Sequence, residues 1–158
     1  MRRARRLWLI GGIVAVVAAL VWFFPPWFYR DSQEAAIQEA MARRLLTGWS
    51  QPGVANLTVD GGALPSTALV DSLKDLGLNI RGGGAHYTGT NNGFFVDDVT
   101  HEPLVICQIG KIHWRNLVTV EIEASCSEGL MGGSGATYTL RRMQSGWTVV
   151  DQAGTWVS

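Results

Sequence analysis

The segment VDDVTHEP places Asp97, Asp98, His101 and Glu102 within six residues. Carboxylates beside an imidazole can exchange a proton between a base and an acid, or can ligate a hard cation. A solvated acidic turn has the same composition and does no chemistry. Asp97, Asp98 and His101 are the candidate catalytic groups on this reading, set against that plainer one. His86, His101 and His113 are separated by 15 and 12 residues, so no two share a helical face as paired ligands do. No metal and no cofactor are expected. RGGGAHYTGTNNG is glycine-rich but has no lysine and no helix after it, so it reads as a loop or a pair of tight turns rather than a phosphate cradle. No Gly-x-Ser-x-Gly elbow supplies a nucleophile.

Cys107 and Cys126 are the two cysteines of the chain and fall on consecutive expected strands. A hairpin turning at Asn116-Leu117 without slippage sets them directly opposite each other, in position to bridge. The apolar parity shifts between Ile109 and Ile112, which points to a β-bulge at Gly110. Such a bulge alone would make the two cysteines diagonal neighbours and favour two buried thiols. Both outcomes stay open on the sequence.

The elements that position these residues can be read from periodicity. Asp31 and Glu34 have the spacing of a capping box, and Ile37, Ala40, Met41 and Leu45 mark one face of a helix expected over 31–47. VANLTVDG reads as a short strand. Ser66 then opens a second apolar helical face, Leu69, Val70, Leu73 and Leu76, which Gly77 closes. Beyond Gly77 the period becomes two. PLVICQIGKIHW, LVTVEIEASC, ATYTLRR and GWTVVD are strand-like, and Val118, Val120, Ile122, Ala124 and Cys126 alternate with Thr119, Glu121, Glu123 and Ser125. MQSG supplies a hairpin turn. Tyr138, Trp147 and Trp156 are expected to close the core, with an aromatic binding site as the alternative. The pattern gives α+β: a single N-terminal transmembrane helix followed by a small domain of two helices packed on a curved antiparallel sheet.

Charge is divided unevenly along the chain. Five of the thirteen basic residues and none of the acids precede residue 31, so residues 31–158 carry a net −5. That body is a poor match for nucleic acid, which needs clustered Lys and Arg. The head, MRRARR, is followed by an uninterrupted apolar run, Leu7 to Phe24. As a helix it would rise about 27 Å, close to the hydrocarbon thickness of a bilayer. Trp8, Trp22 and Trp27 fall where amphipathic rings favour the headgroup zone, and the arginines favour a cytoplasmic N-terminus.

The expected organisation is a cytoplasmic head (1–6), an anchor (7–24), a linker (25–30) and an extracytoplasmic domain (31–158). This makes a single-pass inner-membrane protein, its domain periplasmic where an outer membrane is present. A cleaved secretory signal is the alternative, but VWFFPPWFY offers no small-residue pair for cleavage. Gly11, Ala15 and Ala19 form a small-residue ridge through which two such helices could associate.

ATYTLRRMQSGWTVVDQAGTWVS, preceded by GLMGGSG, resembles the C-terminal pattern of small uncharacterised bacterial exported or membrane-anchored α+β proteins. Those chains end in a Tyr-x-Leu strand, a Gly-Trp-x-Val strand and a Trp-x-Ser. LTVDGGALPSTALVDSL is similar to their upstream strand and Pro-Ser-capped helix, so the likeness covers residues 57–158. It departs at Ser145-Gly146, where such proteins carry Asp-Gly or Gly-Gly. The resemblance implies fold and export only, and it carries over no activity or catalytic residue. The function expected is a non-catalytic, membrane-tethered domain that binds an envelope component, with wet-face residues such as Glu121 and Glu123 as contacts. A small hydrolase or isomerase with a pocket in the concave sheet is one alternative, and an immunity- or inhibitor-like protein is another.

Overall fold

The computed structural model describes residues 26–49, 53–83, 87–89, 93–130 and 132–157. The apolar run 7–24, the ridge of Gly11, Ala15 and Ala19, the basic head and His86 lie outside the described residues. Among the described residues no helix is long and apolar enough to cross a membrane. The chain divides into two compact units, one through Glu34 and one over Ala35–Ser158, and the second holds the whole sheet.

Helix α1 spans Pro26–Leu46. The expected start at Asp31 is corrected, because Asp31 lies inside the helix and residues of the expected linker are already helical. Proline is tolerated at a helix start, where amides have no intrahelical acceptor. From Ala35 onward α1 buries Ile37, Met41, Ala42 and Leu46 completely or nearly so. Helix α2, Thr67–Ser72, is capped by Ser66, whose hydroxyl accepts from the Leu69 amide at 3.2 Å. The expected continuation to Leu76 is a 3-10 turn, Lys74–Leu76, stopped by Gly77 at φ 71°. Arg43 ties the two helices together. Its guanidinium donates to Glu39 and Asp75, each at 2.9 Å, and to the Ser72 carbonyl.

Among the described residues the fold is mixed α+β, with two helices and a curved, mostly antiparallel sheet. Its strands are β1 (Val54–Thr58), β2 (Asn79–Gly82), β5 (Leu104–Ile109), β6 (His113–Asn116), β7 (Thr119–Ser127), β8 (Gly133–Met143) and β9 (Gly146–Val157). Short strands β3 (Tyr87–Gly89) and β4 (Phe95–Asp97) form a separate ribbon, so part of the glycine-rich segment expected as loop is extended. The main order is β2-β1-β5-β7-β8-β9, with β6 also on β7. The expectation of a wholly antiparallel sheet is corrected at β1, which runs parallel to both β2 and β5. The α2 crossover between β1 and β2 is what permits that direction.

One face of the sheet carries the main core. Leu57, Val105, Ile109, Val120, Ile122, Leu140 and Trp147 pack there with the α1 residues and with Leu69 and Leu73 of α2. A second, small cluster of Val54, Phe95 and Leu104 lies on the other face under the β3–β4 ribbon. Tyr138 and Trp147 join the core at 8% exposure each. Trp156 does not: it is 50% exposed, which corrects the expectation that all three aromatics close the fold. Val118, expected on the buried face of β7, is exposed in the hairpin turn.

Candidate functional site

The acidic segment is held by hydrogen bonds to its own turn and to neighbouring strands. Asp97 ends β4 and is only 1% exposed. Its Oδ1 accepts from the Val99 amide at 3.1 Å, the Thr100 amide at 2.8 Å and the Thr100 hydroxyl at 3.0 Å. Its Oδ2 accepts from Arg81 Nη1 at 2.8 Å, reaching back to β2. These bonds, the Thr100 amide foremost, hold the Asp97 carboxyl below its ordinary range against the opposing effect of burial. A carboxylate so occupied fastens the turn after β4 to the sheet. Asp98 instead accepts from the Thr88 hydroxyl in the neighbouring strand and is exposed.

His101 sits at φ 58°, its amide donating to the Asp97 carbonyl at 2.8 Å. Its side chain is exposed and lines a cavity of about 270 Å³ with Trp49, Phe95, Pro103, Leu104 and Glu128. Neither Asp97 nor Asp98 is among the described residues of that lining. The three candidates therefore face different partners. Among the described residues no group of three His, Cys, Asp or Glu side chains could hold a metal ion.

Cys107 and Cys126 stand opposite each other on β5 and β7, and their sulfurs are bonded. The hairpin turns at Leu117-Val118, one residue beyond the expected place. One slip falls between Ile109 and His113 and another between Trp114 and Asn116. Each adds a residue to the β5–β6 side, and together they cancel the displaced turn. Direct opposition survives by compensation.

The most site-like arrangement lies on the sheet face away from the main core. Gln108, Ser125, Gly135 and Trp156 form one cross-strand row over β5, β7, β8 and β9. Glu123 and Thr137 pair in the adjoining row. With Gly154 they line an open groove of about 400 Å³. Trp156 lies against Gly135: a Cβ added there would stand 2.7 Å from three indole atoms. Only glycine lets the ring rest on the sheet while half of its surface stays in water. The groove thus has one aromatic platform, neutral amide and hydroxyl groups, a single carboxylate and no basic side chain among its described lining residues.

Sequence reasoning placed Glu123 on the wet face and missed Trp156, Gln108 and Thr137 as its companions. The placement of Trp156 follows from the register of the facing strand. The β8 partners of Trp147 and Trp156 are Arg142 and Gly135, seven residues apart, and an odd separation puts the two rings on opposite faces. No protein-family model, curated protein or solved structure matches the chain.

Proposed function

We propose that the chain is a non-catalytic, membrane-tethered extracytoplasmic binding domain whose ligand is a saccharide held in the Trp156 groove. The arrangement of Trp156 on Gly135 carries this reading. A solvent-facing indole, immobilised beforehand, offers a flat apolar surface to the C–H face of a sugar ring at little cost in side-chain entropy. Gln108, Ser125 and Thr137 supply donors and acceptors for ring hydroxyls, and Glu123 adds an acceptor. A groove lined this way disfavours phosphates and acidic ligands, which call for Lys or Arg. The hydrolase or isomerase alternative draws no support from the acidic segment, where Asp97 is engaged by Arg81, Val99 and Thr100.

The tether rests on the sequence: four arginines followed by the apolar run 7–24. Anchoring would hold the groove near the membrane and raise its effective concentration for envelope ligands. Retention of the full chain on an insoluble β-linked N-acetylglucosamine polymer tests the ligand. Wild type is retained and Trp156→Ala is not; equal retention of both overturns the saccharide reading. Alkaline carbonate extraction tests the tether separately, and release of the full-length chain from membranes overturns it.

A further inference from the structure

The opposite end of β8 carries a surface unlike the rest of this acidic body. There the β6–β7 and β8–β9 hairpins come together, with Thr119 paired to Arg141 and the Arg142 amide donating to the Val118 carbonyl at 2.9 Å. Their tips expose Leu117 at 50%, Val118 at 48% and Met143 at 44%. Around them stand Arg115, Arg141 and Arg142, three of the eight basic residues in the net −5 body. Arg115 pairs with Glu121 at 2.6 Å. The tips are firmly held. Asn116 Oδ1 accepts from the Val118 amide at 2.9 Å, and Trp114 and Trp147 meet edge to face below them, 5.6 Å between centroids.

We propose that these paired hairpin tips dock on an anionic bilayer surface. Apolar tips flanked by Arg141 and Arg142, with Arg115 already paired to Glu121, suit the boundary between acyl chains and acidic headgroups, where burial and charge act together. A bilayer offers both features over one continuous surface, so the projecting tips need no shaped pocket to receive them. Arg141 and Gly135 are six residues apart along β8, about 20 Å, so docking leaves the groove accessible. The inference depends neither on the saccharide nor on the apolar run, since a peripheral domain would dock by the same tips.

The test uses the full chain with Met143→Cys carrying an environment-sensitive fluorophore, labelled without reductant so that the Cys107–Cys126 bond stays closed. It is added to vesicles of phosphatidylcholine alone or in equal mixture with phosphatidylglycerol. Quenching by shallow nitroxide lipids should be several-fold stronger in the anionic vesicles. Arg141→Gln should lower the docked-to-undocked ratio about fivefold. Leu117→Ser, checked for an unchanged melt, should reduce quenching as well. No quenching, or equal quenching in both vesicle types, overturns the proposal.

Discussion

Trp156 and Gly135 are cross-strand partners on β9 and β8, and the indole of one occupies the space that a side chain on the other would need. This contact lies on the sheet face opposite Trp147, so two tryptophans nine residues apart in one strand have unlike roles. Trp147→Ala removes a core ring and should cost about 3–5 kcal/mol. Trp156→Ala removes a half-exposed ring and should cost about 1 kcal/mol or less. Denaturant unfolding of the two variants checks this, and equal losses would mean that Trp156 is packed as core.

Gly135→Ala should act through Trp156. The added methyl forces the indole off the sheet, so saccharide retention falls while the melt changes little. The coupling is tested by the double variant. Gly135→Ala combined with Trp156→Ala should bind no worse than Trp156→Ala alone, because one contact is removed in each case. Additive losses would show that Gly135 contributes by another route.

The division between these roles shows what the sequence made legible. Ser66 as the second helix cap, the period-two strands and the buried Tyr138 and Trp147 all follow from local pattern, because local sterics and alternation decide them. What local pattern missed depends on distant register. The parallel strand β1 could not be read from its own residues. The cysteine pairing required two slips to offset a turn displaced to Leu117-Val118. Asp97 looked catalytic in sequence because its partner Arg81 lies 16 residues away, in a segment read as loop. Trp156 looked like core because its spacing from Trp147 was read without the facing strand.

Asp97 should govern part of the acid limb of stability. Its folded-state pKa is lowered, first by the Thr100 amide, so its contribution is complete above its unfolded pKa of about 3.9 and is lost as pH falls through the lowered value. Asp97→Asn should therefore melt below wild type at neutral pH, and the gap should close in strong acid. Asp75, lowered chiefly by its hydrogen bond to Arg43, contributes with the same sign and is unchanged in both proteins. A gap that persists undiminished in strong acid would place the loss in packing rather than in ionisation.

The Cys107–Cys126 bond closes a loop with a sequence separation of 19. A crosslink over a loop of that order should contribute about 3 kcal/mol, mainly by restricting the unfolded chain. Reductant should lower the unfolding free energy of wild type by that amount and leave that of a Cys107→Ala, Cys126→Ala double variant unchanged. Equal sensitivity of both proteins to reductant would contradict this account.

Whether the Trp156 groove holds a sugar is decided by calorimetric titration of the detergent-solubilised full chain with a soluble N-acetylglucosamine tetrasaccharide. Wild type should bind saturably, and Trp156→Ala, with its melt preserved, should bind about tenfold more weakly or worse, a loss of roughly 1.4 kcal/mol. Absence of heat in wild type, or the same affinity in both proteins, would contradict a saccharide site on this face.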